Sequence, residues 1–96
     1  MKALLVRLAA AADIEQAHAW YERQRGGLGD ELLAEVGTVL AAIRERPDAF
    51  AIAYRNTRRA LLHRFPYGLF YREMGDTIVV VACFHGRSNP VKWRRR

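Results

Sequence analysis

The longest unbroken apolar run in the chain is Ile78-Val79-Val80-Val81-Ala82-Cys83-Phe84. It lacks the polar alternation of a strand with one wet face, so it predicts a strand over Thr77 to Phe84 that is buried on both faces and has a neighbour on each edge. Met74-Gly75-Asp76 supplies a turn before it. Arg59 to Phe65 and Tyr67 to Glu73 read as two preceding strands, which makes a three-strand meander. Alternation gives the middle strand two sides, with Tyr67, Leu69 and Tyr71 on one and Phe70 and Arg72 on the other. In the strand before it, Leu62 and Arg64 oppose Leu61, His63 and Phe65. Ala3 to Leu8 is a further short strand and a candidate neighbour for the apolar one.

Between the first strand and the meander the period changes from two to that of a helix. Ile14, Ala17 and Tyr21 recur at helical spacing in a segment reaching about Gln24, and Gly26-Gly27 then gives the backbone an inexpensive turn. Leu28, Leu32, Val36, Val39, Leu40 and Ile43 form a continuous stripe on a second helix. Asp30, Glu31 and Glu35 suit its positive N-terminal end, Arg44 and Arg46 suit its C-terminal end, and Pro47 stops it. The two helices are expected to form an antiparallel hairpin covering one face of the sheet. The expected fold class is therefore α+β in the order β-α-α-β-β-β, a helical hairpin packed on an antiparallel sheet, with residues 1–96 as one domain. Asp48 to Thr57 connects the second helix to the meander and is too short to be a domain linker.

Composition narrows the setting. About half of the residues are apolar (51%), which is a folding composition despite the formal charge of +6. The single cysteine, Cys83, rules out an internal disulfide and any cysteine-based zinc framework. Arg7 divides the apolar N-terminal segment before a signal-peptide core is complete, and there is no apolar span of membrane length. A soluble cytoplasmic protein with no membrane association is expected.

Charge is divided unevenly along the chain. Tyr54 to Arg96 holds ten Lys/Arg against two Asp/Glu, a net of +8, whereas Met1 to Ala53 holds six against eight, a net of −2. Arg64, Arg72, Arg87 and Lys92 can donate to phosphate or carboxylate oxygens, and Trp93 can stack on an exposed base. The same concentration of cations equally fits an acidic protein partner that lays apolar anchors along the domain. His85 follows the apolar strand directly; its imidazole can exchange a proton near a phosphate, make a structural hydrogen bond or contact a partner. The acidic residues and histidines show no spacing that specifies a metal site, and no cofactor is implied.

These segments resemble the RelE/ParE superfamily of type II toxin–antitoxin toxins. The resemblance is carried by Ala12-Asp13-Ile14 with Trp20-Tyr21, by Gly27-Leu28-Gly29 before the long helix, by Arg64-Phe65-Pro66-Tyr67-Gly68-Leu69-Phe70-Tyr71-Arg72, and above all by His85-Gly86-Arg87-Ser88-Asn89-Pro90-Val91-Lys92-Trp93. It implies a cognate antitoxin whose C-terminal segment wraps the toxin, giving a toxin–antitoxin hetero-oligomer. It also implies one of two targets: DNA gyrase with its DNA for ParE-like members, or ribosome-bound mRNA, cleaved without a metal, for RelE-like members.

For a RelE-like endoribonuclease, Arg87 is similar in position to the arginine that stabilises the scissile phosphate. Gly68, however, falls where many such enzymes carry a second arginine, and Trp93 replaces a tail tyrosine with an indole that is no phenolic acid or base. Were a nuclease site to have moved, His85 and Arg87 would be its catalytic residues, with Arg64 or Arg72 on the phosphate. In the gyrase-directed reading, slightly preferred on these departures, Arg87, Lys92 and the tail serve surface recognition.

Overall fold

A computed structural model describes residues 1–96. The elements run β1 (Ala3–Val6), α1 (Leu8–Gln24), α2 (Leu28–Glu45), β2 (Ile52–Tyr54), β3 (Thr57–Leu61), β4 (Tyr67–Met74), β5 (Thr77–His85) and α3 (Pro90–Arg94). The strands form one sheet in the order β1-β5-β4-β3-β2. The β-α-α-β-β-β architecture with a helical hairpin on the sheet is as expected. The apolar run is an inner strand, paired antiparallel with β4 and parallel with β1.

The helix-side core contains Leu32, Val36, Val39 and Ile43 of the α2 stripe, with Leu28 and Leu40 packed at its margin. Leu69, Tyr71, Ile78, Val80 and Cys83 meet them from the sheet. This settles which side of β4 faces the helices: the Tyr67, Leu69 and Tyr71 side. Burial on this scale, at ~25 cal/mol per Å² of apolar surface, is the main force holding hairpin to sheet. Gly29 lets the helices approach. A Cβ built on it would lie 2.5 Å from the His18 carbonyl oxygen and 2.6 Å from Glu22 Cγ.

Two strands differ from the sequence reading, and two elements add to it. β1 stops at Val6, and Leu8, expected beside Leu4 and Val6 on the strand, opens α1 and is 90% exposed. β3 spans Thr57–Leu61 instead of Arg59 to Phe65, because the Glu35 carboxylate accepts the backbone N–H groups of both His63 and Arg64 and so removes them from any ladder. β2 lies within the Asp48 to Thr57 connection and reverses through Arg55, which sits in the left-handed region at φ 51°. The tail forms α3, started by the Asn89 side chain accepting the Val91 N–H and by Pro90 in the first turn.

β1 covers β5 only from Thr77 to Val80, leaving the next part of that edge without a strand partner. Side chains fill the gap. Asp13 Oδ2 accepts the Cys83 N–H at 3.0 Å, and Arg96 Nη1 donates to the Val81 carbonyl at 3.1 Å. The terminal arginines, including Arg96, belong to the basic tail read from sequence; Arg96 is tied to the domain. No helix is long and apolar enough to cross a membrane.

Candidate functional site

The outer face of the sheet, opposite the hairpin, is built around Phe70, Val79, Val81 and Ala82, and Trp93 of α3 closes it. The Trp93 ring stacks on Phe70 at 4.3 Å between centroids with an interplanar angle of 19°, and the residue is 5% exposed. Tyr54 of β2 meets Trp93 edge-on at 6.3 Å, and the Arg94 guanidinium lies 4.3 Å from the Tyr54 ring centroid. Offset stacking and cation–π attraction thus tie α3 and β2 to the sheet. Trp93, expected from sequence to meet a target, here packs against the protein itself.

Arg72 lies on this outer face, where its Nε donates to Thr57 Oγ1 at 2.9 Å. It pairs in register with Val79, six residues along β5 from His85, a separation of about 20 Å at the rise of a strand. His85 lies at the opposite end of β5 and turns to the helix side, its ring 5.3 Å from that of Tyr67. Arg72 and His85 therefore share neither a face nor an end of the sheet. Gly68 lies under the stem of Arg59, whose Cγ would be 3.1 Å from an added Cβ.

Arg64 follows β3 and pairs with Glu31 of α2 at 2.6 Å. Its hydrogen bond, together with that of Arg25, holds the Glu31 carboxyl below the usual range. Both partners are solvent-exposed, so the pair adds little to stability. Arg87 follows β5 in a tight turn in which the Gly86 N–H donates to the Pro66 carbonyl at 2.7 Å and the Ser88 N–H to the His85 carbonyl at 2.9 Å. The Arg87 N–H donates to His85 Nδ1 at 3.0 Å, while its guanidinium remains exposed. Lys92 projects from α3 and is likewise exposed. Arg87 and Lys92 are thus the members of the expected set most available to a large partner.

The helix side of the His85 end holds a feature that was not read from sequence. Gln16, Trp20, Tyr21 and Arg23 of α1 face Pro66, Tyr67 and His85 across a cavity of about 550 Å³. Tyr21 packs edge-on against Trp20 and Phe65, each at 4.9 Å, and burial raises the pKa of both Tyr21 and Tyr67. The signal was present in the sequence, since Gln16, Trp20 and Arg23 follow i, i+4, i+7 spacing on one side of α1.

His18, Glu22 and Asp30 are the residues with metal-ligand chemistry that come together, their ligand atoms lying within 4.8 Å of one another. Each already serves the hairpin. His18 Nε2 is 3.0 Å from Asp30 Oδ1, and Glu22 accepts the N–H groups of Gly27 and Asp30, both at 3.1 Å, at the start of α2.

The hairpin covers one face of the sheet, and the short tail helix closes the apolar centre of the other. The profile described as "ParE toxin of type II toxin-antitoxin system, parDE" matches residues 4–90, and the chain belongs to that family. A structure titled "Chromosomal ParDE TA system from P. aeruginosa" has the same fold, with a TM-score of 0.68 and 19% identity over 88% of this chain and 96% of that one. The isolated E. coli RelE toxin superposes with a TM-score of 0.60 and 15% identity, over 99% and 95% of the two chains. No curated protein sequence matches the chain.

Proposed function

We propose that residues 1–96 act as a single toxin domain that inhibits DNA gyrase engaged with DNA in the cytoplasm, and that a cognate antitoxin holds it inactive in a toxin–antitoxin hetero-oligomer. The observation that carries this reading over mRNA cleavage is that neither arginine expected on the phosphate is free beside His85: Arg72 is separated from it by the thickness of the sheet and about 20 Å along it, and Arg64 is paired with Glu31 at 2.6 Å. Proton transfer and phosphate stabilisation in a nuclease require groups within hydrogen-bond reach of one reacting centre. Membership of the ParE toxin family supports the same choice.

Inhibition by surface recognition asks less of individual side chains. The exposed Arg87 and Lys92, on a half of the chain with a net charge of +8, suit a large surface bearing phosphates or carboxylates. Short induction in growing cells is expected to arrest growth with a DNA-damage response, leave bulk transcripts intact and be relieved by the antitoxin. Rapid transcript cleavage without that response would favour the ribosome-directed reading. Unimpaired growth would favour a non-toxic RNA-binding or protein-interaction module.

A further inference from the structure

The cavity between α1 and the His85 end of the sheet combines flat apolar walls with polar groups that the protein leaves unused. Among the tyrosine hydroxyls, that of Tyr71 donates to the Pro47 carbonyl at 2.5 Å, whereas those of Tyr21 and Tyr67 bond to nothing in the chain. No buried side-chain polar atom lacks a partner, so these two hydroxyls reach solvent. His85 is oriented by its own turn. Because Nδ1 accepts the Arg87 N–H, the neutral ring carries its proton on Nε2, which is therefore a donor without a protein partner. The Arg23 guanidinium and Gln16 amide stand on the opposite wall.

This inventory is unbalanced. It offers an imidazole N–H, two phenols, a guanidinium and an amide, and no carboxylate lines the cavity. A neutral apolar occupant would strip water from these donors without replacing it, which is costly. A metal cation would find no anionic ligand. An anion bearing several acceptors would satisfy the donors, and an aromatic body would meet Trp20, which is 48% exposed, together with Tyr67. A volume of about 550 Å³ is that of a small-ligand site.

We infer that this cavity binds a free nucleoside monophosphate, its base against Trp20 and Tyr67 and its phosphate received by Arg23 and the Nε2–H of His85. The site lies on the helix side of the sheet and is independent of any action on gyrase. Calorimetric titration of the intact protein with adenosine and guanosine 5′-monophosphates, accompanied by Trp20 fluorescence, tests it. Saturable binding of one nucleotide per chain is expected, with Trp20 quenched and Trp93 screened inside the fold.

Adenosine and ribose 5-phosphate, each half of the ligand, are expected to bind at least about tenfold more weakly. Arg23→Ala and Tyr67→Phe are expected to weaken the nucleotide about five- to tenfold each, whereas Arg46→Ala, an equal loss of charge at the far end of α2, leaves it unchanged. Circular dichroism and melting temperature check that each variant is folded. Absence of binding would overturn the inference. So would equal binding of ribose 5-phosphate, an equal effect of Arg46→Ala, or tighter binding of a single-stranded oligonucleotide than of the mononucleotide.

Discussion

Arg96 closes on Asp13 from the other end of the chain, with Nη1 2.6 Å from Oδ2 and Nη2 3.2 Å from Oδ1. The pair stands where β1 has ended and β5 continues. Asp13 accepts the Cys83 N–H, Arg96 donates to the Val81 carbonyl, and the Arg96 carbonyl accepts Arg7 Nη1 at 2.6 Å. Two side chains thus perform the hydrogen-bonding work of a missing strand segment and fix the tail beside it.

Loss of the carboxylate should be the more damaging change, because Asp13 is buried and serves two partners. Asp13→Ala is expected to cost about 2–4 kcal/mol, since it strands the Cys83 N–H and one side of the ion pair. Arg96→Ala is expected to cost less, about 1–2 kcal/mol, because Asp13 keeps the Cys83 N–H and water can enter the space that the guanidinium leaves to solvate its carboxylate. Urea denaturation of the two variants checks the order, and an Arg96→Ala loss equal to that of Asp13→Ala would contradict it.

The hairpin provides a paired test of two glycines. Gly29→Ala would place a methyl within 2.5–2.7 Å of His18 and Glu22, and is expected to destabilise by about 1–3 kcal/mol through forced separation of the helices. Gly37, within the same helix, has nothing within 4 Å of an added Cβ. Gly37→Ala is therefore expected to stabilise by about 0.5–1 kcal/mol. Opposite shifts in the denaturation midpoint are the signature.

Trp93→Ala should unseat α3 and expose Phe70. The expected cost is about 3–5 kcal/mol, the range for removing a buried tryptophan. Thermal melts check the loss of stability. Trp93→Phe, which retains a ring against Phe70, is expected to recover more than half of it.

Alkaline pH should weaken the fold through groups that burial keeps neutral. Burial pushes the Cys83 thiol from 9.0 to about 12 and the Tyr71 phenol from 10.0 to about 12. In the unfolded chain both ionise earlier, so it releases protons that the folded chain retains. The stability they contribute is fully present below pH 9 and is lost as pH rises from there towards 12. Denaturation midpoints at pH 8, 9.5 and 10.5 should fall in that order, with a shallower decline for Cys83→Ala.

Local patterns carried much of the architecture. The seven-residue apolar run had to be an inner strand, and the α2 stripe indicated its packed face residue by residue. Other features depended on residues far apart in sequence. Glu35 truncates β3 by capturing two loop N–H groups 28 and 29 positions away, and Asp13 recruits Arg96 from a distance of 83 positions. Nothing local in either partner announces such a pair. The start of α3 was different, since Asn89-Pro90 is a helix-start signal.

The expected site residues divide in the same way. Alternation placed Arg72 opposite Tyr71, yet only the register of β4 with β5 reveals that it also lies at the other end from His85. The packing of Trp93 has no local sign in the sequence, because its partner, Phe70, lies 23 positions away on another element.

Purified components distinguish gyrase from the translating ribosome as the target. The protein is titrated in parallel into a gyrase supercoiling and DNA-cleavage reaction and into translating ribosomes, then the antitoxin is added back. Loss of supercoiling or accumulation of cleaved DNA, reversal by the antitoxin and intact mRNA are expected. Unchanged gyrase activity and no gyrase binding at saturating toxin, with ribosome-dependent mRNA cleavage in the parallel reaction, would rule out gyrase as the target.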